Sequence, residues 1–473
     1  MVFSSSIFLF LFLPVFLLVY HLVTSAYKNL VIVLASLVFY AWGAPLFVFF
    51  LLALMSVDFY VVRSQYLCTT PRRKKILLGV SVALNLGALA YFKYANFFVE
   101  NLNGVTESVF HHRIPWIDVA LPIGISFYTF HALSYSIDVY RGVHRPMEKL
   151  SEYILYILAF PQLIAGPIIR FNTMADQITS RKETSDDKLF GFFRFSIGLA
   201  KKMLVANSLG LQADLILNSN PASLSTTAAW VGIVAYTFQL YFDFSAYTDM
   251  ALGLGKIIGF SFPENFNSPY TAQNITDFWR RWHISLSRWM RDYLYIPLGG
   301  NRVKTKSRAY LNLWIVFLLS GLWHGASWNF LIWGAYHGLF LILDKLFLIQ
   351  LLDKFPTFVR VAFTFFVVMI GWVFFRIEKF DEALRYLCRL FDLSRITVEY
   401  YNTSFYFFLF IAASFSFITL SKVGKALEIW TYEITSYNDK AFVLRCVMAF
   451  LLFVFSASFV ASSGFNPFIY FRF

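Results

Sequence analysis

Long apolar stretches separated by short polar intervals cover the whole chain. About 20 apolar helical residues cross a membrane hydrocarbon core of about 30 Å. Most of the apolar stretches approach or exceed that length, which predicts an all-α, polytopic membrane protein with about 11 or 12 transmembrane helices. The predicted membrane segments are residues 2–22, 29–42, 44–62, 76–98, 117–140, 189–217, 227–259, 309–329, 330–350, 357–376, 404–421 and 442–461.

The intervals between these segments are too short for a soluble domain, and the sequence shows no convincing internal repeat. We therefore expect one polytopic unit. The first apolar segment has no Lys or Arg before Lys28. Since a cleaved signal peptide begins with basic residues, we expect this segment to be a retained helix.

Basic loops predict the orientation of the chain. Residues 63–75 carry five Lys or Arg and no acid, and residues 277–308 carry eight Lys or Arg against two acids. Both loops should face the cytoplasm, with the interval 99–116 outside. Because both basic loops lie on the same side, an even number of crossings must separate them. The stretch 150–170 therefore should not cross fully, and its Pro and Gly residues favour a re-entrant or bent element. The alternative is an ordinary kinked span, with the count wrong elsewhere.

Composition excludes several classes of protein. Apolar residues make up 58% of the chain and charged residues 14%, against roughly 25% charged in soluble domains. The net charge of +13 fits cytoplasmic loops, and no basic tail or aromatic pattern indicates nucleic acid. The three cysteines form no CxxC pair, so we expect neither a disulfide framework nor a metal site; they are Cys68, Cys388 and Cys446.

The stretch 274–302 is rich in Arg and Trp. Helical spacing places mainly polar and basic residues on one face and mainly tryptophans on another. This pattern predicts an interfacial helix with its indoles in the acyl boundary and its guanidinium groups toward anions. Thr276 is the predicted N-cap. An aromatic anchor with positive-inside charge is the alternative, but it does not explain His283. One face carries Arg280, His283, Ser287 and Arg291, the other carries Trp279, Trp282, Leu286 and Trp289, and Pro297, Gly299 and Gly300 end the helix.

The stretch 311–343 contains no charged residue but two histidines, His324 and His337. It is too long for one crossing, so we predict two helices that meet near residues 327–329. A histidine in hydrocarbon is a functional hypothesis, and imidazole can accept and return a proton near neutrality. We expect this role for His324. For His337 we expect a structural hydrogen bond to a neighbouring helix.

Four further charged residues lie in or beside predicted membrane segments. Buried carboxylates need partners, so we expect Asp243 and Asp249 to pair with arginines of 280–291, the alternative being contact with substrate. Lys201 and Lys202 are expected to extend toward the membrane interface, the alternative being a cavity.

Four stretches resemble signature sequences of the membrane-bound O-acyltransferase (MBOAT) superfamily. These are FPQLIAGPIIR, YFDFSAYTDMALGLG, FWRRWHISLSRWMRDYLYIPLGG and LWHGASWNFLIWGAYHG. The first 20 residues and the ending NPFIYFRF are similar to the alginate- and peptidoglycan-acetylating membrane subunits of bacteria. The D-alanyl transferases that modify teichoic acid share the histidine stretches but resemble the long C-terminal part less well.

This resemblance implies a helical funnel in the bacterial cytoplasmic (inner) membrane, with the donor entering from the cytoplasm and the acceptor from outside. It implies a single MBOAT-like domain over 1–473, with a catalytic helical core at 130–345 and peripheral helices at 1–120 and 355–473. The implied donor is acetyl-coenzyme A, with no permanently bound cofactor. The implied partner is a periplasmic SGNH-type acetyltransferase, and the acceptor is a cell-envelope polysaccharide such as alginate or peptidoglycan.

The resemblance also assigns residues. By position, His324 matches the family's buried essential histidine and His283 the second motif residue, so both are predicted to be catalytic. We expect His324 to act as general base, while His283 or Asn329 orients the thioester carbonyl. The predicted substrate-binding residues are Arg280, Arg281, Arg288, Arg291, Asn329 and Asp243. Alternative functions are D-alanyl or other acyl transfer, a proton-coupled transporter, and a scaffold that recruits enzymes.

Overall fold

The computed structural model describes residues 1–163, 166–462, 464 and 469, and within them it contains helices and turns but no strand. The chain forms two compact units, Met1–Lys182 and Glu183–Phe473. The prediction of an all-α protein is confirmed. The predicted single domain with a core at 130–345 stays a prediction. The NPFIYFRF ending lies outside the described residues apart from Ile469.

The first unit consists of helices joined by short turns. They are α1 (Phe8–Leu22), α2 (Ser25–Ala41), α3 (Phe47–Leu67), α4 (Pro71–Phe110), α5 (Ile125–Tyr140), α6 (Leu150–Leu158) and α7 (Phe171–Thr179). The predicted segment 117–140 is helical only from Ile125, because residues 112–122 adopt no regular structure.

The predicted bent element lies in this unit. Helix α6 has only nine residues, which at 1.5 Å per residue reach about 14 Å, too little to cross the membrane. Residues 164–165 lie outside the described residues. After them, hydrogen bonds between side chains and the backbone of Ile169 fix the chain in place. The Ile169 N–H donates to Nε2 of His131 at 3.1 Å, and the Tyr156 hydroxyl donates to the Ile169 carbonyl at 2.9 Å. Helix α6 alone is too short to cross, and the incomplete crossing expected for 150–170 stays a prediction.

The second unit contains the remaining helices. They are α8 (Ser185–Ala200), α9 (Asn207–Leu217), α10 (Thr226–Ile257), α11 (Ile275–Arg281), α12 (Ile284–Met290), α13 (Lys306–His324), α14 (Trp328–Leu352), α15 (Thr357–Arg376), α16 (Phe380–Leu390), α17 (Thr403–Leu420), α18 (Lys422–Tyr432) and α19 (Asp439–Ser462). A π-helical turn, Lys201–Ala206, joins α8 to α9.

Six helices in the described part of the chain are long and apolar enough to cross a membrane, namely α3, α4, α14, α15, α17 and α19. The other predicted segments are also largely helical, but they are shorter or carry more charge. The chain is therefore a multi-pass membrane protein.

Close packing of α13 on α14 fixes one end of the site described below. The two helices meet at glycines: a Cβ atom on Gly321 would lie 2.2 Å from the carbonyl oxygen of Phe330, and one on Gly334 would lie 2.3 Å from that of Phe317. Small residues allow such close approach of two backbones. Helix α13 ends at His324 and α14 begins at Trp328, which confirms the predicted pair of helices.

Candidate functional site

The stretch 274–302 is broken, contrary to the single interfacial helix predicted for it. Helix α11 ends at Arg281, and α12 begins at Ile284. Between them His283 has φ 45° and ψ 53°, the left-handed region that non-glycine residues seldom adopt. The N-cap is Asn274, whose side chain accepts from the Asp277 N–H at 2.7 Å, and so the predicted N-cap, Thr276, is also wrong.

The break changes which residues share a face. His283 is fully buried, whereas Arg280 and Arg291 are exposed, so the predicted common face is wrong. A period of 3.6 residues cannot continue through a left-handed residue, and the side chains after it point in new directions. The three indoles of this stretch are buried inside the protein and do not lie in the acyl boundary; they belong to Trp279, Trp282 and Trp289.

His324 lies at the last position of α13 and is only 4% exposed. Aromatic rings surround it, with centroids 4.9 Å away for Trp323, 5.0 Å for Trp333 and 5.2 Å for Phe375. The His283 ring is 6.3 Å away, so the structure brings the two predicted catalytic histidines together.

A narrow space adjoins the His324 imidazole. The gaps among its lining side chains amount to about 210 Å³, part of which is open to the surroundings, and they are narrow. Apart from His324 its walls are apolar or aromatic: Leu240, Phe244, Trp282, Trp333, Trp372 and Phe375. Ligand sites of enzymes are commonly apolar spaces with few polar groups, and here the imidazole is one such polar group.

Asn329 and His337 both lie on α14. The amide nitrogen of Asn329 donates a hydrogen bond to the carbonyl oxygen of Ile377, just after α15, so it ties the two helices together. His337 is fully buried against Trp279 and Trp333, at 5.2 and 5.1 Å between ring centroids. Neither nitrogen of His337 has a hydrogen-bond partner among the described residues, so the expected bond to a neighbouring helix is not found there.

The buried acids pair with lysines and an arginine of the preceding helices, and the predicted pairing with residues 280–291 is wrong. Asp243 forms an ion pair with Lys202 at 2.6 Å, and both side chains are at most 3% exposed. Asp249 pairs with Lys201 at 2.7 Å and with Arg194 at 2.8 Å. The expectation that Lys202 extends to the interface is therefore wrong, because its charge is neutralised inside the protein.

The four predicted substrate-binding arginines divide into two pairs. Arg281 forms an ion pair with Asp277 at 2.9 Å, and Arg291 forms one with Asp292 at 2.7 Å. Arg280 and Arg288 are exposed and form no ion pair within the described parts of the chain. These two guanidinium groups are therefore the better placed to bind an anion from solution.

Several residues of this region were not predicted from the sequence. Arg194 joins Asp249 to Glu264, with a distance of 2.6 Å to Glu264. The sequence feature that could have identified Arg194 is a basic residue inside an apolar stretch, the same feature that drew attention to Lys201. Asn265 accepts from Nδ1 of His283 at 3.1 Å, and no spacing in the sequence indicates this contact. In the described portion of the chain, no three His, Cys, Asp or Glu side chains are grouped to hold a metal ion.

The sequence of this chain is similar to those of known membrane acyltransferases. A model of the membrane-bound O-acyltransferase family matches residues 105–379. The chain is 41% identical to the probable alginate O-acetylase AlgI of Pseudomonas putida over the full length of both, and 46% identical to that of Azotobacter vinelandii over 85% of this chain and 80% of the relative. It is 35% identical to the peptidoglycan O-acetyltransferase of Helicobacter pylori over 96% and 89%.

Proposed function

Because this chain belongs to the membrane-bound O-acyltransferase family, we propose that it takes acetyl from cytoplasmic acetyl-coenzyme A for O-acetylation of a polysaccharide outside the membrane. Its enzyme class is that of an acyltransferase. The acetyl group and an alginate- or peptidoglycan-like acceptor are carried over from relatives named for those activities. The bacterial cytoplasmic (inner) membrane is the location that such a donor and acceptor require.

The observation that carries the proposal is the His324 imidazole in its aromatic enclosure. Acetyl transfer needs a base that removes the proton of the attacking hydroxyl, and a buried neutral imidazole suits this task. The hydroxyl oxygen forms a bond to the thioester carbonyl carbon while His324 takes the hydroxyl proton. The carbon–sulfur bond then breaks, and the same proton passes to the leaving coenzyme A sulfur. His283, 6.3 Å away between ring centroids, assists His324.

Arg280 and Arg288 bind the phosphates of the coenzyme A donor in this proposal. Both belong to the loop predicted to face the cytoplasm, and both are exposed with no ion pair among the described residues. We expect the R280Q/R288Q variant to raise the KM for acetyl-coenzyme A about tenfold while kcat stays within about twofold. R281Q is the matched control, because the Arg281 charge is already paired with Asp277. A larger rise of KM in the control would contradict the assignment.

The acceptor side includes a partner in this proposal. A periplasmic SGNH-type acetyltransferase receives the acetyl group on a serine hydroxyl and passes it to the polysaccharide. The purified chain in proteoliposomes should release coenzyme A thiol from acetyl-coenzyme A faster when that partner is present on the other side. If coenzyme A thiol is released as fast with the polysaccharide alone as with the partner present, the partner assignment is wrong.

The decisive variant is H324A, assayed for coenzyme A release and polymer acetylation at matched membrane expression. We expect a loss of at least about 100-fold, in the range typical of removing a general base. H337F is the control, since it removes another buried imidazole but keeps an aromatic ring. Wild-type acetylation by H324A would overturn the role of His324. Activity with D-alanyl but not acetyl donors would favour the other acyl transfer.

A further inference from the structure

One side chain outside the predicted site, Asn265, contacts the His283 ring. We propose that Asn265 is a positioning residue: it holds His283 in the tautomer with hydrogen on Nδ1, so that Nε2 serves only as a hydrogen-bond acceptor in acetyl transfer. This inference rests on the proposed function, because it assigns the part that His283 plays beside His324. Asn265 itself touches no reacting atom in this proposal.

The backbone at the α11–α12 break fixes Asn265 against His283. The Ile284 N–H donates to the Asn265 carbonyl at 3.0 Å, and the Asn267 N–H donates to the Arg281 carbonyl at 2.9 Å. These two backbone hydrogen bonds join residues 265–267 to the break between α11 and α12. A left-handed backbone conformation is unfavourable for a non-glycine residue and persists only when its surroundings enforce it. Residues 265–267 supply that enforcement and aim the His283 ring.

The orientation of the Asn265 amide follows from a neighbouring backbone group. The Ser285 N–H lies 3.1 Å from Asn265 Oδ1, and a backbone N–H can only donate, so the atom facing it is the amide oxygen. The Ser285 hydroxyl reaches the same oxygen at 2.9 Å. His283 Nδ1 is 3.1 Å from this oxygen, and because an oxygen of an amide cannot donate, Nδ1 must carry the hydrogen.

The tautomer decides which partners His283 can have. In neutral imidazole one nitrogen donates and the other accepts, so hydrogen on Nδ1 leaves the lone pair on Nε2. Nε2 can accept from an attacking hydroxyl or from the ring N–H of His324. It cannot donate to a thioester carbonyl oxygen, the role first expected for His283. The ring neighbours are compatible with this role: Phe244 at 4.8 Å, Trp323 at 6.0 Å and His324 at 6.3 Å.

Nitrogen NMR of the full chain, labelled with ¹⁵N-histidine in detergent micelles, tests the tautomer without any assay of activity. The chain has eight histidines, and the signals missing from H283A identify His283. We expect the protonated nitrogen of His283 to be Nδ1 in the wild type and to become a mixture in N265L. Hydrogen on Nε2 of wild-type His283 overturns the inference. A wild type that consumes no acetyl-coenzyme A would instead count against the proposed function.

Kinetics supply a second, independent test. N265L removes the acceptor at nearly constant volume, and we expect kcat to fall at least about tenfold with the KM for acetyl-coenzyme A within about threefold. N265D keeps an acceptor oxygen and should retain most of kcat even where N265L folds poorly. In the H283A background N265L should cost nothing further, since Asn265 acts through His283. An equal loss in both backgrounds, or an N265D as impaired as N265L, refutes the role.

T248V is the matched control, because it changes the other end of the same amide. The Asn265 amide nitrogen reaches the Thr248 hydroxyl only at 3.5 Å, and this contact lies at the end of the amide away from the oxygen that faces His283 Nδ1. We expect T248V to keep kcat within about twofold. If T248V lowers kcat as much as N265L does, Asn265 stabilises the loop and does not select the tautomer.

Discussion

The contact between α13 and α14 offers the sharpest test of how packing controls this site. Gly321 lies one helical turn before His324. A Cβ atom at position 321 would lie 2.2 Å from the Phe330 carbonyl oxygen and 3.1 Å from its carbon. Both atoms belong to the backbone of α14 and cannot rotate away. The variant G321A therefore forces the two helices apart.

The size of that displacement follows from the distances. Ordinary van der Waals contact begins at 3.4 Å, so α13 and α14 must separate by about 1.2 Å at this point. Overpacking of this kind typically costs about 1–3 kcal/mol of stability. A misplacement of about 1 Å can cost about 100-fold in rate. We therefore expect G321A to lower kcat for acetyl-coenzyme A consumption by about 100-fold with a reduced Tm.

The assay compares kcat and Tm of purified G321A with those of G338A. Position 338 lies on α14, and the closest atom to its Cβ would be the side-chain Cβ of Phe317 at 3.3 Å, so little needs to move. We expect G338A to keep kcat within about threefold. Wild-type kcat in G321A would show that the spacing of α13 and α14 does not determine the position of His324, and this reasoning would be refuted.

Two further predictions concern charged pairs. K202M leaves Asp243 unpaired and buried, so we expect a loss of about 3–5 kcal/mol of stability, while K202M/D243N restores part of it; thermal unfolding in detergent measures both. In the loop after α5, partial burial acts to lower the pKa of His144, but hydrogen bonds to the Arg145 carbonyl and to Asp176 raise it above its ordinary value. That stabilisation is present at low pH and disappears as the pH rises through the raised pKa. D176N should therefore lower Tm at pH 5.5 but leave it unchanged at pH 9, and an equal effect at both would contradict the assignment.

Most of the helices could be predicted because their signal is local. An apolar run of about 20 residues must be helical in a membrane, since no other open structure satisfies its backbone. The turn between α13 and α14 was predicted for the same reason: residues 311–343 are uncharged but too long for one helix. His324 could be singled out because a histidine in such a run is uncommon and needs an explanation.

The features that were missed depend on residues far apart in the sequence. From the sequence alone, Asp243 could form an ion pair with any basic residue at the same depth in the membrane. The packing of α8–α10 determines that its partner is Lys202. The break at His283 contains neither glycine nor proline, and the hydrogen bonds that stabilise it involve Asn265 and Asn267. Helical periodicity assumes right-handed residues throughout. It therefore placed His283 with the exposed arginines, on the wrong face.

In the proposed reaction, the aromatic side chains around His324 would favour acetyl transfer over hydrolysis. A thioester beside a base would be hydrolysed if water reached both, and the space next to His324 is narrow and lined by aromatic rings, which limits the access of water. The Phe375 ring lies tilted at 59° to that of Trp333 and edge-to-face at 76° to that of Trp372, so these aromatic side chains pack closely on one side of the His324 imidazole. The same argument applies to the proposed role of Asn265: in a largely apolar site, the lone pair of His283 Nε2 needs a fixed direction, and the hydrogen bond between Nδ1 and Asn265 provides it.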